Sequence, residues 1–230
     1  MFPSSVAVIP DGNRRFAKQN FLPLGIAYAK GFDKVDQVAK WMADSPVKAT
    51  TFWALSLENL TKRSQGELKI LFRIMDSYLE RALKSREFEE KGVKVSFFGK
   101  KRILPENTVS LMKKLEEKTC DYLDKELNFA VAYSGEEELA NASVRLAKDI
   151  AAKKVREEDA EGKFSQYLYY SKPVDLVIRT GGVQRLSGFL PFQVAYSELY
   201  FSEKLWPAFE KKDFDQALDY FAATERRFGR

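Results

Sequence analysis

Apolar residues recur along this chain in two alternating rhythms. Short runs rich in β-branched and aromatic residues lie near Val6–Ile9, Ala49–Leu55, Val93–Phe98, Leu127–Tyr133, Val174–Ile178 and Leu199–Phe201, and they read as strands. Between them, apolar positions spaced by three and four predict helices over Gly31–Met42, Glu67–Glu90, Pro105–Leu123, Glu136–Lys153, Glu157–Tyr169 and Phe214–Arg226. Strands apolar on both faces that alternate with amphipathic helices point to the α/β class, a parallel sheet covered by helices. No linker, repeat or low-complexity tract interrupts the pattern, so a single domain over residues 1–230 is expected.

One helical stripe leaves a choice open. Leu68, Leu71, Phe72, Met75, Leu79 and Leu83 share a face. A core-facing helix and the wall of an apolar tunnel have the same periodicity, so spacing does not separate them.

Composition narrows the class. At 45% hydrophobic residues, with 18 Phe and 10 Tyr, the chain can build a sizeable core. Its apolar runs are far shorter than the roughly 20 residues of a membrane span. No basic stretch followed by an apolar one opens the sequence, so a cytoplasmic protein is expected. One cysteine, Cys120, rules out an internal disulfide or a multi-cysteine zinc site and reads as a buried inert thiol. The net charge of +5 fits anionic ligands or anionic lipid surfaces. It is not gathered into a basic stripe with interleaved aromatics, so no nucleic-acid partner is expected.

Candidate chemistry sits at two strand ends. The strand Val174–Ile178 runs into Arg179-Thr-Gly-Gly182 and then Arg185 and Ser187. Guanidinium forks match phosphate oxygens, and glycines let backbone N–H groups approach an anion. The strand Val6–Ile9 runs into Pro10-Asp-Gly-Asn-Arg-Arg15. It repeats that design and adds a carboxylate, Asp11, of the type that bridges Mg²⁺ to substrate phosphates. Carboxyl ends of parallel strands are where ligands bind in such sheets. Each segment alone fits an ordinary surface loop or a turn with a helix cap equally well. Together they indicate a metal-assisted diphosphate site.

These residues resemble the cis-prenyltransferases, the undecaprenyl and dehydrodolichyl diphosphate synthase family. Asp11 to Ala17 is similar to that family's Asp-Gly-Asn-x-Arg-aromatic-Ala, and Asp175 to Ser187 to its Asp-Leu-apolar-Ile-Arg-Thr-Gly-Gly-x-x-Arg-apolar-Ser. Leu55 to Ser64, Gln193 to Phe201, Leu205 to Phe209 and the terminal Glu225-Arg-Arg-Phe-Gly229 match further regions in family order. The resemblance implies a six-stranded parallel sheet over a hydrophobic tunnel, acting as a homodimer. It also implies transient membrane-surface contact for product release, with peripheral membrane association.

It further implies that isopentenyl diphosphate is condensed onto an allylic diphosphate, farnesyl or geranylgeranyl, to give a Z-polyprenyl diphosphate. Asp11 would be the Mg²⁺ ligand and a catalytic residue, with Glu198 a second metal ligand and Asn59 orienting substrate during proton loss. Gly12, Asn13, Arg14, Arg15, Tyr28, Ser56 and Arg63 would hold the allylic diphosphate. Arg179, Arg185 and Ser187 would hold isopentenyl diphosphate. The tail at Arg226 and Arg227 would reach toward a partner's substrate site.

The departures concern charge. The chain has no histidine: Ser5 and Tyr28 stand where relatives usually carry one, and Leu24 stands where an arginine is common. Leu55 and Leu60 replace family aromatics, one residue is inserted around Thr61, and Tyr133-Ser-Gly-Glu136 replaces Tyr-Gly-Gly-Arg. Arg14 takes the place of a frequent glycine. Two alternatives follow: a non-catalytic partner subunit of a heteromeric prenyltransferase, against which Asp11 and Asn13 argue, and an enzyme using a non-isopentenyl acceptor.

Overall fold

A computed structural model of the chain describes residues 2–225. Six strands form one parallel sheet in the order β3-β4-β2-β1-β5-β6. They are β1 (Ser5–Ile9), β2 (Ala49–Ser56), β3 (Val93–Phe98), β4 (Lys125–Tyr133), β5 (Leu176–Arg179) and β6 (Glu198–Phe201). β1 lies near the middle and is buried at all five positions, as a strand covered on both faces must be. The register Val6–Thr50 and Val6–Leu176 brings the carboxyl ends of β1, β2 and β5 together at one edge.

The helices are α1 (Asn13–Gln19), α2 (Leu24–Ala43), α3 (Leu57–Lys62), α4 (Gln65–Lys84), α5 (Glu87–Glu90), α6 (Glu106–Lys118), α7 (Gly135–Ala151), α8 (Ala160–Lys163) and α9 (Lys211–Ala223). Alternate residues of the strands feed two cores. Val6, Val8, Phe52 and Ile178 join α2, α4, α6 and α9 on one face. Ala7, Ile9, Tyr133 and Val177 pack with Phe189, Leu190 and Tyr170 on the other.

The expected elements are present, with four differences. The helix expected over Glu67–Glu90 breaks at Ser85 and Arg86, where Ser85 is extended and its Oγ accepts from the Glu87 N–H at 3.1 Å. The second helix starts at Leu24, a turn and more before its apolar stripe suggests, because Pro23 opens it. The helix expected over Glu157–Tyr169 is instead two short 3₁₀ turns flanking α8. Cys120 is exposed rather than buried, since the chain turns outward after α6. The motif residues from Arg226 to Gly229 lie outside the described residues.

Candidate functional site

The loop after β1 is shaped by what it packs against. Gly12 has φ 120°, a region that favours glycine, and a Cβ there would meet Leu205 Cδ2 at 2.9 Å. The Trp206 N–H donates to the Asp11 carbonyl at 3.0 Å, and its indole N–H donates to the Gly31 carbonyl at 2.8 Å. The buried Trp206, with Leu205 beside it, therefore clamps the Asp11 turn against α2. The Thr180 hydroxyl adds a second bond to the Asp11 carbonyl, at 2.8 Å.

From this turn Asp11 meets two arginines. Its Oδ2 accepts from Arg179 Nη2 at 2.9 Å, and its Oδ1 lies 3.1 Å from Arg15 Nη2. Arg15 also donates to the Gly181 carbonyl at 2.6 Å. Arg179 is 5% exposed and reaches two further acceptors, the Ser187 hydroxyl at 2.9 Å and the Arg185 carbonyl. Arg185 Nε donates to that same hydroxyl at 3.2 Å. The two strand-end segments, 168 residues apart in the chain, thus form one cationic cluster around one carboxylate. The Arg179 Nε is buried with no hydrogen-bond partner among the described residues. A buried donor in that state is suited to an anion that arrives with the ligand.

A second group of site residues follows β2. Ser56 caps α3, its Oγ accepting from the Asn59 N–H at 3.1 Å. Tyr28, on α2 and 3% exposed, donates its hydroxyl to Glu67 Oε1 at 2.5 Å. Burial, then the bond to Glu67, pushes that phenol well above its ordinary pKa, so it stays a neutral donor at physiological pH. Arg63 lies with its guanidinium carbon 5.5 Å from the Tyr28 ring centre and its Nε 3.3 Å from Glu67 Oε1.

Both groups open onto one cavity of about 1310 Å³. It runs beneath the sheet from Asp11, Ser56 and Arg179 at the strands' carboxyl ends to Val47, Val93 and Lys125 at their amino ends. Leu71, Met75, Tyr78, Leu79 and Ala82 of α4 form one wall. The α4 stripe is therefore divided: Leu71, Met75 and Leu79 line the cavity, while Leu68, Phe72 and Leu83 do not. At the far end the ion pairs Lys40–Glu87 (2.9 Å) and Asp44–Lys91 (2.7 Å) link α2 to α5 and its following turn.

Asp11, Gly12, Asn13, Arg14, Arg15, Tyr28, Ser56, Asn59, Arg63, Arg179, Arg185 and Ser187 all line this cavity. Glu198 does not. It opens β6 opposite Leu176, whereas Arg179 pairs with Phe201. Three residues of strand, roughly 10 Å, separate Glu198 from the edge where Asp11 sits, two strands away. The structure therefore does not bring Glu198 to the end of the sheet where Asp11 stands. Glu67 and Thr180 were missed by the sequence reading. Glu67 follows the Ser64 cap at the third helical position and looks there like an ordinary capping-box residue.

Among the described residues no cluster of three or more potential metal ligands exists. Mg²⁺ still fits the donor chemistry. Asp11 offers hard carboxylate oxygens, each with capacity beyond its one arginine, and Mg²⁺ commonly takes few protein ligands while substrate phosphates and water supply the rest. The Asn13 Oδ1 is another buried oxygen without a hydrogen-bond partner among the described residues.

A parallel α/β sheet with a carboxylate-centred cationic cluster at its carboxyl edge and an apolar tunnel beneath defines a protein for ligands with an anionic head and a long hydrocarbon tail. The chain belongs to the undecaprenyl diphosphate synthase family of prenyltransferases, whose family model matches residues 9–229. It is 41% identical over 234 residues to the tritrans,polycis-undecaprenyl-diphosphate synthase (geranylgeranyl-diphosphate specific) of Pyrobaculum aerophilum, covering 99% of this chain and 96% of the relative. It is 40% identical to the enzyme of the same name from Methanopyrus kandleri, covering 99% and 85%. Among solved structures it resembles lavandulyl diphosphate synthase from Lavandula x intermedia in complex with dimethylallyl diphosphate, with a TM-score of 0.93 and 30% identity over 100% of this chain and 99% of the other. A probable undecaprenyl diphosphate synthase from Campylobacter jejuni gives 0.79 and 29% over 99% of both chains.

Proposed function

We propose that this chain is a Z-polyprenyl diphosphate synthase that elongates an allylic diphosphate, geranylgeranyl diphosphate being the primer named for its curated relatives, with isopentenyl diphosphate. The observation that carries the reading is the placement of the Asp11, Arg15, Arg179, Arg185 and Ser187 cluster at the head of the tunnel. In each round the allylic C1–O bond breaks and the diphosphate leaves with the electron pair. The C4 of isopentenyl diphosphate bonds to that C1, and a proton is lost from its C2.

The residues divide the work. Arg179, Arg185 and Ser187 hold isopentenyl diphosphate, because guanidinium forks and a hydroxyl complement phosphate oxygens. The N–H groups of Gly12 to Arg15, opening α1, receive the allylic diphosphate with Arg14, Arg15, Tyr28, Ser56 and Arg63 beside it. Asn59 sits at the first turn after β2 and orients the reacting carbon for proton loss. Asp11 would hold Mg²⁺, which when bound would supply charge neutralisation for the departing diphosphate. The tunnel takes the growing chain and keeps water from the electron-poor carbon.

Two surface features extend the proposal. Phe192 (46% exposed) and Tyr196 (74% exposed), near the β6 edge, are apolar surface suited to a second copy of the chain. Phe21 (96% exposed), between α1 and α2, and Ile26 (48% exposed), in the first turn of α2, suit transient contact with a membrane surface during product release. Among the described residues no helix is long and apolar enough to cross a membrane. Sedimentation at the mass of one chain would overturn the first, and failure to pellet with anionic vesicles the second.

The deciding experiment incubates the protein with Mg²⁺, labelled isopentenyl diphosphate and geranylgeranyl diphosphate, and sizes the butanol-extractable product. An EDTA-sensitive Z-polyprenyl product is expected, and no product with any allylic primer would refute the reading. Tunnel depth is checked the same way. Ala82 lines the cavity near the end of α4 remote from Arg63, so Ala82→Trp is expected to shorten the longest product while leaving the first condensation near the parent rate. An unchanged product ladder would separate the cavity from chain growth.

A further inference from the structure

The Tyr28–Glu67–Arg63 triangle sets a carboxylate behind two residues that line the cavity where an anionic ligand is to be bound, and it needs an explanation. Glu67 is a half-hidden side chain, 12% exposed, beside an arginine that is 14% exposed. Left bare, that negative charge would repel a diphosphate. It is not bare: one oxygen accepts the Tyr28 hydroxyl and faces Arg63 Nε. The Glu67 backbone is fixed as well, since its N–H donates to the Ser64 Oγ at 3.2 Å and opens α4.

The geometry points to Glu67 as a positioning residue for the allylic diphosphate, acting through Arg63; this rests on the function proposed above. The Arg63 Nε lies 3.3 Å from the Glu67 carboxylate as an ion pair without a hydrogen bond, so the carboxylate's charge anchors the guanidinium while the Tyr28 ring beside its carbon limits where it can swing. Arg63 meets Glu67 through Nε and not through its two Nη groups. Those Nη groups have no hydrogen bond among the described residues, and Arg63 lines the cavity. Arg63 is thereby held as a ready fork for two phosphate oxygens. The Tyr28 hydroxyl, donated to Glu67, acts on the ligand at second hand. It stabilises the carboxylate and keeps it turned toward Arg63 instead of into the tunnel head. Pre-setting a long, rotatable side chain removes ordering entropy that ligand binding would otherwise have to overcome.

The expected signature is a selective change in affinity. Glu67→Gln retains shape and an acceptor for Tyr28 but loses the ionic hold on Arg63. Its KM for geranylgeranyl diphosphate should rise about 10-fold, with kcat and the KM for isopentenyl diphosphate within about 2-fold of the parent, as for loss of a uniform binding interaction. Tyr28→Phe should move the same constant in the same direction by a smaller factor. In an Arg63→Ala background the Glu67→Gln effect should vanish, because the residue it acts through is gone. A Glu67→Gln enzyme with unchanged allylic KM, an equal rise in both KM values, or full persistence of the effect without Arg63 would each overturn the proposal. Geranylgeranyl diphosphate binding is measured calorimetrically on the same variants. A parent chain that binds it without elongating it refutes the synthase reading, while the ratio of dissociation constants still decides the role of Glu67.

Discussion

Replacing Asp11 with alanine is expected to lower kcat by about 10²- to 10³-fold while the chain stays folded, the scale seen when one preorganised charge-stabilising group is lost. The reason lies in the double contact of its carboxylate with Arg15 and Arg179 and in its place at the tunnel head. Without it, the carboxylate that would hold Mg²⁺ is gone, and two arginines lose the group that fixes their spacing. Asp11→Asn keeps the size and one oxygen acceptor but not the charge, so it should resemble the alanine variant in turnover and the parent in thermal midpoint. Steady-state kinetics with Mg²⁺ titrated at each substrate concentration check this. Turnover unchanged in Asp11→Ala would remove Asp11 from the chemistry altogether.

Arg179→Lys is expected to raise the KM for isopentenyl diphosphate by about 100-fold, well beyond its effect on the allylic KM. Arg179 is buried and makes three directed contacts, to Asp11, the Arg185 carbonyl and the Ser187 hydroxyl, leaving its Nε for a ligand. A lysine keeps the charge but has no planar fork, so it cannot hold the carboxylate and the hydroxyl in that arrangement; each lost charge-assisted bond is worth about 1.5–3 kcal/mol, or roughly 10- to 100-fold. If the substitution instead raised the allylic KM alone, the assignment of the two diphosphates to the two sides of Asp11 would have to be exchanged. Measuring both constants on one preparation distinguishes these outcomes.

Much of the site was legible because strand ends and glycine turns leave local marks. Pro10 to Arg15 and Arg179 to Ser187 each follow an apolar strand, and the structure sets them against one another. Other motif residues proved to be scaffolding. The Asp175 Oδ2 accepts from the N–H groups of Ser4 and Ser5, at 2.9 and 3.1 Å, tying β5 to the start of β1. Gln193 is buried, bonded to Glu138 at 3.1 Å and to the Tyr170 carbonyl at 2.6 Å, and its backbone carbonyl accepts from the Val174 N–H. Trp206 clamps the Asp11 turn. A motif match cannot say which of its residues touch a ligand and which hold the loop that does.

Local pattern determined the α/β class, the six strands, most helix positions and the two basic strand-end segments, because alternation, helical spacing and turn chemistry are properties of neighbours along the chain. The tertiary structure decided three things that neighbours do not encode. It set Leu71, Met75 and Leu79 of the α4 stripe against the cavity and left Leu68, Phe72 and Leu83 off it, since apolar periodicity is the same whether a face meets side chains or a cavity. It put Glu198 at the opposite end of the sheet from Asp11, because strand register assigns each residue its height. It brought Tyr28, 39 residues away along the chain, onto Glu67, whose ion pair with Arg63 is a local i,i+4 contact. Electrostatic interactions act over a few ångströms of space, and only folding turns separation along the chain into such distances.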